Sequence, residues 1–224
     1  MAQRPRRPRL ILDHLYFIGN RSIGIILLTA GFTGMVLMLQ SHHALSRFGS
    51  ELYLGPLVAL SLIRELGPVL GALLVTARVG SAVAATIASM RVSEQIDALE
   101  TMSVDPIPYL ASTRLVAALV AVPLLTAIFD LAGIGAAHAL GVAVLRIDGG
   151  TFISSVKEAV EWSDVSAGLW KSLLFAVLIA WVACYRGFVA IGGAAGIGQA
   201  TTRAVVTTSV LVLVGDYVMT ALLF

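Results

Sequence analysis

Two ionisable residues, Arg64 and Glu65, stand side by side in an otherwise apolar run, and Asp130 and Asp216 lie inside two further runs. A charge at the centre of a bilayer costs at least about 2.5–3.5 kcal/mol on insertion scales, so such residues face a cavity, a partner or one another. Sequence neighbours on a helix with 3.6 residues per turn point about 100° apart. Arg64 and Glu65 therefore need separate partners: water, another helix or a ligand headgroup. Structural ion pairing with other spans, for instance through Asp216, and the lining of a ligand cavity are equally good readings at this point. Two intramembrane aspartates also suit the acid and base of an intramembrane aspartyl protease. That reading is poor, because Asp216 follows Leu213-Val214-Gly215 instead of the Gly-x-Gly-Asp such proteases use. His42-His43 does not make a metal site, since adjacent side chains diverge on a helix and no carboxylates accompany them. Gly192 to Gly198 is glycine-rich but lacks the Lys-Ser/Thr of a phosphate loop, and reads as a turn between spans. The single cysteine, Cys184, has no intramolecular disulfide partner.

The most informative stretch runs from Ser93 to Pro106. Ser93 is placed to cap a helix with an acidic first turn, and Asp105-Pro106 to end it. Ile96, Leu99 and Met102 form an apolar stripe, with Glu94, Gln95, Asp97 and Glu100 beside it. Acidic side chains would be repelled by an anionic leaflet. A protein partner is therefore favoured, with the stripe as a coupling ridge.

Composition supplies the frame for these residues. Of 224 residues, 58% are hydrophobic and 12% charged, against about 25% charged in soluble domains. With a mean hydropathy of +0.93 the chain is an integral membrane protein. A net charge of +2 is too small to argue for nucleic acid. Apolar runs predict five spans: Ser22–Ser46, Leu54–Met90, Leu115–Leu145, Val165–Tyr185 and Ala204–Phe224. The second is long enough to require tilt, a bend near Gly67-Pro68, or projection into the cytoplasm. Its later half, Ala77 to Ser89, is rich in small residues suited to close helix contact. Ahead of the first span, Pro8 to Asn20 suits an interfacial amphipathic helix, and Asp148 to Trp162 a surface helix. The fold class is all-α: an N-terminal interfacial helix plus five transmembrane helices, with a short cytoplasmic coupling helix between spans two and three. Residues 1–21 form the N-terminal cytoplasmic or interfacial segment and 22–224 the transmembrane domain. With the N-terminus cytoplasmic, ten Lys and Arg lie inside and four outside, Lys171 among the four. The C-terminus is then outside.

Leu62-Ile63-Arg64-Glu65-Leu66-Gly67-Pro68-Val69, Ala77 to Ala82, and Glu94 to Leu99 through Val104-Asp105-Pro106 together resemble the MlaE/YrbE-type permeases. The likeness runs from about Gly34 to the C-terminus. These are membrane subunits of ABC transporters that work with MCE-domain lipid-binding proteins. The resemblance implies a homodimer in the bacterial inner membrane, two cytoplasmic ATPase subunits, a periplasmic MCE hexamer and a small STAS-type subunit. It implies phospholipid as cargo and maintenance of outer-membrane lipid asymmetry. Sterol or another hydrophobic substrate is the alternative within the family. Neither catalysis nor a cofactor is expected in this chain, ATP being used by the partner subunit. By position, Arg64 and Glu65 would line a lipid cavity at the dimer interface and Leu37, Ala44 and Phe48 its acyl-chain walls. Glu94, Gln95, Ile96, Asp97, Leu99, Glu100 and Met102 would contact the ATPase.

Overall fold

The computed structural model describes residues 8–47 and 51–223. Phe48 lies outside the described residues, as do residues 1–7 of the N-terminal segment. Among the described residues, five helices are long and apolar enough to cross a membrane. They are α1 (Pro8–Ser46), α2 (Leu54–Val92), α4 (Pro106–Ala143), α6 (Trp162–Phe188) and α7 (Gly193–Leu223). Two short helices punctuate them: α3 (Gln95–Thr101) at one end of the bundle and α5 (Gly149–Ala159) at the other. The all-α architecture matches the sequence reading.

Several helix ends fall earlier than expected, each for a local reason. The run from Pro8 to Asn20 is helical, and it continues into the first span without a break. The third span begins at Pro106 instead of Leu115, because Asp105 does not merely end α3. Its side chain accepts the Ile107 N–H at 3.1 Å and caps α4. Pro106 and Pro108 sit in the first turn, where a missing N–H costs nothing. The fifth span begins at Gly193, so most of the glycine-rich segment is helix. Only Gly192 and Gly193 turn, at φ +99° and +66°. Gly196 must lack a Cβ, which would stand 2.1 Å from the Ile191 carbonyl oxygen. Ser93 does not cap α3. Its hydroxyl donates to Ser89 O at 2.8 Å, closing the end of α2, and Glu94 precedes α3 in the left-handed region at φ 60°.

Helix α1 packs mainly on α4, where Gly34 meets the Gly133 carbonyl so closely that a Cβ would stand 2.0 Å from its oxygen. Helix α6 is the hub, touching α2, α4 and α7. A continuous core runs through Leu62, Val75, Ala121, Phe129, Phe175 and Ile179, all nearly inaccessible.

Helix α2 is unbroken at Gly67-Pro68 but widens into π turns over Leu62–Leu66 and Thr76–Gly80. Proline supplies the reason for the first. Pro68 has no N–H to give the Arg64 carbonyl four residues back, and the Gly67 N–H reaches five residues back to Leu62 O. Single π turns of this kind recur at functional sites. This one carries Arg64 and Glu65.

Candidate functional site

Both charged residues of the π turn reach the same neighbour, α6. Arg64 Nε donates to Asp164 Oδ1 at 2.8 Å. Glu65 Oε2 accepts from Lys171 Nζ at 2.8 Å. Asp164 and Lys171 are seven residues apart, two turns along one face of α6. Between them on that face is Gly168, whose added Cβ would lie 2.5 Å from the Ile63 carbonyl oxygen. The glycine lets α6 press against the α2 backbone, which brings both ion pairs within reach.

Lys171 is fully inaccessible and saturated. Besides Glu65 it donates to Thr220 Oγ1 at 2.7 Å and to the Arg64 carbonyl at 2.9 Å. That carbonyl is the one Pro68 leaves without a helical donor. Asp216 Oδ1 lies 3.0 Å from the ammonium, an ion pair by distance that is not aligned as a hydrogen bond. Thr220 closes the ring by donating to Glu65 Oε1 at 3.2 Å. Asp164 is 1% exposed and doubly used, since it also accepts the Glu161 N–H at 3.0 Å in a capping box that starts α6. The polar ends facing outward are Arg64 at 37% and Glu65 at 39% exposure. Two cations thus stand among three carboxylates, in the third of the bundle nearest α5.

Asp130 lies beside this cluster without joining it. Its Oδ1 is buried without a hydrogen-bond partner and rests against Gly67, where a Cβ would stand 1.7 Å away. It meets α2 at Gly67, whereas Asp216 meets it near Glu65 through Lys171. Asp216 is paired with Lys171, and Asp130 only packs against Gly67 of α2. An acid–base dyad sharing a proton is not assembled here, which removes the structural basis of the protease reading.

Lys171 is a correction to the sequence reading. Counted there as an outer-side charge, it is instead the most buried cation among the described residues. Asp164 and Thr220 were not singled out at all. A usable signal existed: Lys171 stands nine residues inside an apolar helix, and a buried ammonium requires acids from other spans.

Of the proposed acyl-chain walls, Leu37 is half-buried and packs on the core. Ala44 is exposed and lines a shallow recess of about 590 Å³ with Leu39, Gln40, His43 and Arg47. That recess contains neither Leu37 nor Arg64 and Glu65. Around α3, Asp97 pairs with Arg91 at 2.6 Å. Ile96 does not present a ridge outward. It is 2% exposed and packs with Ile87, Leu110 and Cys184, with Leu99 half-buried against them. Glu94, Gln95, Asp97, Glu100 and Met102 are the exposed members of the coupling set, Met102 at 70%.

Residues 11–222 match the family model described as Permease MlaE. The chain belongs to the MlaE permease family. It is 42% identical over 96% of its length to the intermembrane phospholipid transport system permease protein MlaE of Haemophilus influenzae, covering 83% of that protein. A probable ABC transporter permease of Rickettsia typhi is 43% identical over the same shares of the two chains. The chloroplastic protein TRIGALACTOSYLDIACYLGLYCEROL 1 of Arabidopsis thaliana is 35% identical, with 96% of this chain and 62% of that protein aligned.

Proposed function

We propose that this chain is the permease subunit of an ABC transporter that moves phospholipid between the inner membrane and a periplasmic MCE-domain partner, maintaining outer-membrane lipid asymmetry. The carrying observation is the 42% identity, over nearly the whole chain, to a permease named for intermembrane phospholipid transport. Two copies would face each other across a lipid cavity, each bound to a cytoplasmic ATPase subunit, with an MCE hexamer outside and a small STAS-type subunit inside. The chain itself would hold no cofactor. Helix α3 would be cytoplasmic, the N-terminus inside and the C-terminus outside. Reassigning Lys171 to the bundle interior sharpens the inside bias to ten basic residues against three.

Arg64 and Glu65 suit the headgroup end of such a cavity because each has a buried partner and an exposed face. A phosphate can approach the guanidinium while Asp164 holds it in place, and an ammonium can approach Glu65 while Lys171 does the same. Leu37, Ala44 and Phe48 would serve the tails. The ATPase stroke would enter through the exposed face of α3. Because Ile96 and Leu99 are anchored within the permease, a push on Met102 or Glu100 would move α3 together with the ends of α4 and α6.

The test is reconstitution of the permease with its co-purified ATPase in proteoliposomes carrying labelled phospholipid. ATP-dependent movement is expected, with Arg64→Ala and Glu65→Ala lowering it while the complex still assembles. Wild-type transport by both variants at wild-type abundance would remove them from the cavity. No ATP-dependent movement by the intact complex would overturn the function.

A further inference from the structure

A groove of about 710 Å³ opens at the α3 end of the bundle, far from the ion-pair cluster. It lies between the first three turns of α4 and the last three of α6, with α3 across its mouth. Its floor is made of small groups, Ala111, Ala180 and Cys184, and its walls of large exposed ones, among them Ile107 at 63%, Trp181 at 66% and Tyr185 at 55%. From Val177 to Phe188 it follows α6 over twelve residues, about 16 Å at 1.5 Å rise per residue. That is close to half of a hydrocarbon core about 30 Å thick. Val177 and Trp181 lie two to three turns inside a membrane-spanning helix, beyond the reach of a soluble subunit. Tyr185, within one turn of the helix end, suits the headgroup boundary of a leaflet.

The mouth is charged in one pattern. Arg91, Glu100 and Asp105 line it, and Asp97 holds Arg91 at 2.6 Å. One arginine against three carboxylates gives a net negative rim, which repels an anionic headgroup. It accepts one that brings a phosphate for Arg91 and a primary ammonium for Glu100 and Asp105.

We infer that this groove binds one zwitterionic phospholipid with an ammonium headgroup from the leaflet at the α3 end, its tail on Ala111 and Ala180 and its headgroup at Arg91, Glu100 and Asp105. The lipid ties α3 to α4 and α6 and is separate from any lipid held near Arg64 and Glu65. The inference requires α4 and α6 to lie in a bilayer; it does not require the chain to transport anything.

The purified full-length permease, with its ATPase, is washed in mild detergent. It is then re-exposed to an equal mixture of phosphatidylethanolamine and phosphatidylglycerol, and weighed intact. Wild type should retain one more phosphatidylethanolamine per chain than Ala111→Trp, whose indole fills the floor. Asp105→Asn, which lies outside the ATPase-facing set and keeps the α4 cap while removing one rim charge, should shift the retained lipid several-fold toward phosphatidylglycerol. Equal retention by wild type and a folded Ala111→Trp, or no headgroup preference in wild type and no shift in Asp105→Asn, would overturn the site. A photoactivatable thiol reagent on Ile107→Cys in native membranes should label lipid. Predominant labelling of a polypeptide would mean that a partner's membrane helix fills the groove, and would also overturn it.

Discussion

Lys171 is the residue on which the cluster turns. Interhelical hydrogen bonds in membranes average only about 0.6 kcal/mol each, so its bonds alone would not make it critical. Charge does. Without the ammonium, Glu65 and Asp216 face each other uncompensated, and breaking a buried pair costs about 3–5 kcal/mol. Lys171→Met should therefore lower abundance and thermal stability more than Glu65→Ala, which leaves Asp216, Thr220 and the Arg64 carbonyl around the lysine. Fluorescence-detected size exclusion after a heating series would rank the two, and equal melting would refute the hub. Arg64 and Glu65 were legible in the sequence because charge stands out against an apolar run. Their partners were not, because pairing across 100 and 106 positions depends on helix rotation that no local pattern encodes.

At the scale of elements, the contact between α2 and α6 depends on a missing side chain. Gly168→Leu would drive a branched group into the Ile63 carbonyl. Overpacking of this kind costs about 1–3 kcal/mol, and here it would also stretch the Arg64–Asp164 and Glu65–Lys171 pairs on either side. Loss of transport greater than that of Glu65→Ala, at matched expression, is the expected outcome of the proteoliposome assay. Helix α5 is held differently. Asp148 accepts from the hydroxyl and N–H of Thr151, each at 2.7 Å, and these bonds keep its carboxyl below the ordinary carboxylate range. A depressed acid contributes fully above its unfolded value, about 3.9, and loses that contribution as pH falls through its folded value. Helix α5 should thus keep its first turn from neutrality to about pH 4 and fray below it. Amide exchange at Thr151 and Phe152, corrected for intrinsic pH dependence, would report the change. Element type was readable here because spans announce themselves by apolar length. Several boundaries were not, because Asp105 and the Gly192-Gly193 pair act through backbone geometry that hydropathy does not register.

For the whole molecule, the interior anchoring of Ile96 changes what a partner can grip. A subunit docking on α3 meets Met102, Glu100 and Gln95, while Ile96 transmits the load to the ends of α2, α4 and α6. Met102→Asp should reduce ATPase co-purification severalfold while leaving the permease monodisperse, and unchanged recovery of the ATPase would count against docking at α3. Ile96→Asp should instead destabilise the permease itself, since it places a carboxylate among Ile87, Leu110 and Cys184.

The π turn over Leu62–Leu66 has a bearing on how such a chain can change over evolutionary time. A π turn is an α-helix that absorbs one surplus residue in a wide turn, so removing a residue within it would leave the flanking segments in phase, whereas removing one from the regular stretch beyond it would rotate everything that follows by about 100°. Arg78, the small residues that follow it and the entry to α3 would then face new neighbours. A single deletion in α2 outside its π turns should be far more damaging than one inside them or than most substitutions, and best rescued by one insertion nearby. The count of residues between Arg64 and α3 is thus a phase setting, inherited intact or lost as a unit.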